Sequence, residues 1–78
     1  MSERLQILYM QARLVRLAAE EWHMTIKAVN KLFQQFNVYH YIADLWGLFH
    51  VEGDYAVLED IQSFLSSKGE EVCPAKSA

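Results

Sequence analysis

The sequence predicts an all-α domain, a compact four-helix orthogonal bundle with a disordered C-terminal tail. Three observations carry this. Apolar residues recur at spacings of three and four through most of the chain, the period of one helix face. Capping residues and turn signals separate these stretches. The one segment that could run extended, Leu48-Phe49-His50-Val51, has no second strand to pair with. At 78 residues the chain makes a single domain, set at residues 1–68, with residues 69–78 as a flexible tail.

The first helix is expected from about Glu3 to Trp22. Ser2 serves as N-cap, and Glu3 suits the positive end of the helix dipole. Leu5, Leu8, Ala12, Val15, Ala19 and Trp22 form the expected buried stripe. Ile7, Met10, Leu14 and Leu17 widen the apolar surface beyond one face, which calls for cover from a second chain as well as from the rest of the domain. Arg13, Arg16 and Glu20 mark the wet side, with Arg16 and Glu20 able to pair at i,i+4. His23 falls at the C-terminal end of this helix.

The second helix starts after Thr25 as N-cap. Ile26, Val29, Phe33 and Phe36 give its stripe, with Leu32 beside it, and Asn37 suits the left-handed position that ends a helix. A third helix, about Val38 to Leu48, presents Tyr41, Ile42, Leu45 and Trp46, and weakens at Gly47. Leu48 to Val51 reads as a loop or a last helical turn that plugs the core. Glu52-Gly53-Asp54 is a turn, with Asp54 as the expected cap of a fourth helix carrying Val57, Leu58, Ile61, Phe64 and Leu65 inward. Ser66 to Gly69 ends it.

Composition narrows function. Hydrophobic residues make up 53% of the chain, with a dense aromatic run from Phe33 to His50. A small chain has few other means of building a core, because aromatics bury the most area per residue. A net charge of −3 argues against neutralising phosphates. The lone cysteine, Cys73, cannot form an internal disulfide, so a reducing, cytoplasmic setting is expected. No apolar block resembles a signal peptide or is long enough to span a bilayer.

A search for chemistry finds little. No serine sits in a nucleophile elbow, and the carboxylate pairs Glu20-Glu21, Glu59-Asp60 and Glu70-Glu71 are helix neighbours whose side chains diverge. His40 and Asp44 share a face at i,i+4, and His50 and Glu52 follow, but no His-Glu-x-x-His or Cys pair declares a metal site. The three glycines form no phosphate-cradling loop. The chain is therefore not expected to be an enzyme or to hold a cofactor.

The second and third helices superficially resemble a helix-turn-helix, the alternative function, in which Tyr39-His40-Tyr41 would meet the bases. No Lys or Arg lies between Lys31 and Lys68, so any basic contact would come from Arg13, Arg16, Lys27 and Lys31, and nucleic acid is an unfavoured partner. What remains is a protein-protein interaction module acting by burial of an apolar helix face, with a protein partner or a second copy (a homodimer through the first helix) as occupant. Its candidate interface residues are Ile7, Met10, Leu14, Leu17, Trp22, Tyr39, Tyr41 and Trp46, since Trp and Tyr are enriched at interface anchors.

Across about half the chain, Val29, Leu32-Phe33, Val38, Tyr41-Ile42, Leu48-Phe49-His50, Gly53, Tyr55 and Glu59-Asp60-Ile61 resemble a family of short bacterial proteins known as a domain of unknown function. Phe49 stands where that pattern leads one to expect a smaller aliphatic. The resemblance implies a small all-helical bacterial domain. Some such proteins are encoded beside ADP-ribosyltransferase-like toxins, which implies an antitoxin-like or accessory partner.

Overall fold

The computed structural model describes residues 2–72. Ser2 accepts a hydrogen bond from the Leu5 amide at 3.3 Å and opens α1, Glu3–Trp22. Thr25 accepts from the Ala28 amide at 3.0 Å and opens α2, Ile26–Gln35. Both caps satisfy amides that the first helical turn leaves without partners. Then follow α3, Val38–Asp44, the single turn α4, Trp46–Phe49, and α5, Asp54–Ser67. Among the described residues there are no strands, so the all-α bundle is the architecture. Its fifth element is the turn α4, where the sequence leaves a loop or a last helical turn.

Two helices end in left-handed residues, His23 at φ 56° and Asn37 at φ 58°. His23 thus closes α1 through its backbone, its amide donating to the Ala19 carbonyl. Asn37 reverses the chain between α2 and α3, a conformation Asn tolerates better than most L-residues. Gly69 at φ 87° closes α5, and the Glu70 amide donates back to the Leu65 carbonyl at 2.9 Å. That six-to-one bond is the Schellman stop. The chain then stays against α5: Val72 packs on the core and its carbonyl accepts from Gln62 at 3.2 Å. The expected tail from residue 69 is therefore held to the domain as far as Val72. Residues 73–78, Cys73 included, lie outside the described residues.

α1 organises the bundle, packing against α2, α3 and α5. Its 20 residues run ~30 Å at ~1.5 Å per residue, which accounts for most of the 39 Å long dimension. The core joins Met10, Leu14, Val15, Ala18 and Trp22 of α1 to Val29, Leu32 and Phe33 of α2, Val38 and Ile42 of α3, Phe49 of α4, and Val57, Leu58, Ile61 and Leu65 of α5. Phe49 is the plug expected of its segment, while Leu48 and Val51 beside it are exposed.

Three local expectations are corrected. In α1 the expected stripe is only half inside: Val15 and Trp22 are buried and Ala19 packs on the core, but Leu5, Leu8 and Ala12 lie outside, and Met10, Leu14 and Ala18 complete the buried face. Ile26 is 54% exposed rather than part of the α2 stripe. Asp54 does not cap α5; Gly53 holds that position, and the Asp54 carboxylate receives Arg13 at 3.1 and 3.4 Å, tying α5 to α1. Among the described residues Arg16 and Glu20 form no ion pair; the two pairs present are Arg13–Asp54 and His40–Asp44.

Candidate functional site

The sequence places a recognition surface on α1 and on the aromatic run, and the structure separates these. Met10, Leu14 and Trp22 are buried in the chain's own core. As a correction to the expected interface, these three are unavailable to a partner, because α2, α3 and α5 already cover that side of α1. Ile7 and Leu17 are half-buried on the flanks of the same face. Trp22 meets Phe33 edge to face at 6.2 Å, and its indole N–H has no hydrogen-bond partner.

Tyr39, Tyr41 and Trp46 are half-buried and engaged internally. The Tyr39 hydroxyl donates to Asn30 Oδ1 at 2.7 Å, its carbonyl accepts from Gln11 Nε2 at 2.8 Å, and its ring meets Phe33 at 5.5 Å. Tyr41 stacks on Phe64 at 4.2 Å and meets Phe49 edge-on. Burial raises the phenol pKa of Tyr39; burial and then the carboxylates of Asp60 and Glu52 raise that of Tyr41. Both rings are thus neutral brackets joining α3 to α2 and α5. Trp46 stacks on His50 at 4.9 Å, and His50 Nδ1 lies 2.9 Å from the Trp46 carbonyl. A carbonyl only accepts, so in this contact Nδ1 carries the proton.

His40 and Asp44 pair with each other in solvent at 3.1 Å. Among the described residues, no three His, Cys, Asp or Glu side chains gather as a metal site. The helix-turn-helix comparison fares poorly on geometry. α3 has seven residues, Val38 at its start is buried, and Tyr39 is tied to α1 and α2. Of the four cations named for such contact, Arg13 is held by Asp54. No described helix is long and apolar enough to cross a membrane.

The surface that emerges is the outward face of α1. Leu5, Leu8 and Tyr9 are all exposed there, with Leu8 at 51%. Leu5, Leu8 and Ala12 follow one another at spacings of three and four, the a/d rhythm of a helix that receives another helix, and the next position, Val15, is already in the core. At its C-terminal end this seam runs into a groove between α1 and α2. Ala12, Val15 and Ile26 line the groove together with Tyr39, and Arg16 and Lys27 stand at its sides. Arg16 also reaches a second groove, between α1 and α5, lined by Glu20, Asp54 and Tyr55. Sequence reasoning had the seam in hand as a stripe but assigned it to the core. The signal that would have separated the two faces is the run of cations beside it, Arg4, Arg16 and Lys27, since ionised side chains seldom border a fully buried face.

No curated protein and no solved structure shows a significant match to this chain. A family model does match, over residues 9–68. That span holds α2 to α5 and most of α1, so the chain belongs to the family described as protein of unknown function (DUF3791).

Proposed function

We propose that this domain is a protein-interaction module whose contact surface is the outward seam of α1. The observation that carries this is the exposure of Leu5, Leu8 and Tyr9 on one side of a helix whose other side is fully used by the core. An apolar surface wider than one core-facing stripe calls for cover on more than one side, and here the chain itself covers only part of it. The seam's spacing fits an apolar helix of a partner protein. Such a contact is how an antitoxin-like or accessory subunit would cover its partner, by burying a helix face and not by catalysis.

Site-specific photocrosslinking in the native host tests the reading. A photoreactive residue at position 5 or 8 should join the domain to one protein. The same residue at position 31 or 59, exposed positions of α2 and α5, should give no such product. Equal crosslinking from all four positions, or none from the seam, would refute it.

A further inference from the structure

We infer that the partner segment received by the α1 seam is an acidic amphipathic helix, one with apolar residues at its own a and d positions and Glu or Asp along the flanks. The inference rests on the interaction reading above and adds the chemistry of the partner. With Leu5, Leu8 and Ala12 as the exposed a/d positions and the buried Val15 as the one that ends them, the flanking residues are Arg4, Tyr9, Gln11 and Arg16. Flanking residues choose the partner of a helix pair through charge. None of the four is acidic, two are arginines, and Lys27 adds a third cation where the seam enters the α1–α2 groove. Arg4, Arg16 and Lys27 take part in no ion pair among the described residues, whereas Arg13, just off the seam, is already neutralised by Asp54. Of the acids on α1, Glu3 lines a groove with Arg4 and Leu8 at the start of the helix, and Glu20 faces the α5 groove with Arg16 and Asp54.

Three uncommitted cations on an apolar seam stand out in a chain whose net charge is −3. Glu3, Glu20 and Glu21 belong to α1, and the other acids lie elsewhere. From α3 to Val72 they are Asp44, Glu52, Asp54, Glu59, Asp60, Glu70 and Glu71, opposed there only by Lys68. An acidic helix is therefore drawn to the seam and repelled from the rest of the surface. A second copy of this chain is the poorer occupant, since its α1 brings the same two arginines to the seam with Glu3 as the one acid beside them. The groove at the seam's end, about 460 Å³, accepts a few side chains, not a large rigid ligand.

The test uses two designed peptides of about three heptads, both with Leu at a and d, one with Glu and one with Lys at the flanks. Like charges on the flanks keep each peptide from pairing with itself. Binding to the whole chain is followed by fluorescence anisotropy, and the site by amide chemical shifts. The Glu peptide should bind at least ~10-fold tighter at low salt, with the preference shrinking as salt screens the flanking charges. Shifts should centre on Leu5, Leu8, Ala12, Val15 and Ile26. The triple variant Arg4→Glu, Arg16→Glu, Lys27→Glu should reverse the preference while keeping its circular dichroism spectrum.

Equal binding of both peptides at the seam would overturn the acidic-partner inference and leave the interaction reading standing. Failure of both peptides, in a chain that light scattering shows to be monomeric, would overturn both. A dimer that Leu8→Lys converts to monomer would put a second copy in the seam, and the acidic-partner inference would fall.

Discussion

The assignment of faces on α1 turns on two leucines six residues apart. Leu14 is fully buried, whereas Leu8 is 51% exposed. Replacing Leu14 by Ala deletes about three methylene-sized groups from the core, a transfer loss of ~2.4 kcal/mol at ~0.8 kcal/mol each. Incomplete collapse of the space left behind raises the expected cost to ~3–4 kcal/mol. A domain of 78 residues has a total stability of ~4–12 kcal/mol at ~0.05–0.15 kcal/mol per residue, so the loss is a large share. At ~4–8 °C per kcal/mol it corresponds to roughly 12–30 °C in the melting temperature. Leu8→Ala removes a side chain about half of which is already in water, leaves no enclosed cavity and keeps a good helix former, so its cost should stay near ~1 kcal/mol. Urea unfolding followed by far-ultraviolet circular dichroism at two protein concentrations measures both variants. A Leu8→Ala cost near that of Leu14→Ala, independent of concentration, would refute the face assignment. A Leu8→Ala cost that appears only at the higher concentration would instead put Leu8 in a contact between two chains.

Other substitutions probe the remaining devices of the fold. Asn37→Ala should cost ~1 kcal/mol, because the left-handed conformation at φ 58° strains a residue with a Cβ and no compensating polar side chain; Asn37→Gly should be near neutral in the same chemical denaturation. Trp22→Phe removes the buried indole donor that lacks a partner. The ~1–3 kcal/mol penalty it relieves should hold the cost well under the ~3–5 kcal/mol expected of Trp22→Ala, as differential calorimetry of the two variants would show. Tyr39 and Tyr41 have folded-state pKa values raised above 10.0, so the fold favours their neutral forms. Their contribution is present below pH ~10 and lost as pH rises above it. Melting temperatures of the wild type should fall steeply there, and the double variant Tyr39→Phe, Tyr41→Phe should show a shallower fall.

Much of this fold is legible in the sequence because its signals are local. Ser2 and Thr25 cap the helices they precede, Asn37 takes the left-handed bend, and Val57, Leu58, Ile61 and Leu65 point inward. On α2 and α5 polar residues hold one side, and that contrast sets which face turns in. α1 lacks it. Leu5, Leu8 and Ala12 read as well as Met10, Leu14 and Ala18 do, and periodicity sets the spacing of a stripe without choosing between two stripes on the same helix. The choice is made by α2, α3 and α5, which meet α1 on the second face, and such long-range packing leaves no mark in a local window. Asp54 shows the same limit: its position after Gly53 suits a cap, yet Arg13, distant in sequence, claims its carboxylate.

The failure on α1 is also where the proposed contact surface lies. A stripe with the spacing of a core, left in solvent, is a local signal that the global fold does not use. Natural sequences are otherwise consistent across these levels, and conflicts tend to mark functional surfaces. The charges agree with that view. Had the seam been spare core pattern tolerated at the surface, its flanks would have no reason to differ from the rest of an acidic chain. They do differ: Arg4, Arg16 and Lys27 border it, against Glu3 at its start and Asp54, which Arg13 already holds. Apolar spacing supplies the area of a contact and the cations supply its selectivity. Both are what the proposed acidic helix requires of its docking surface.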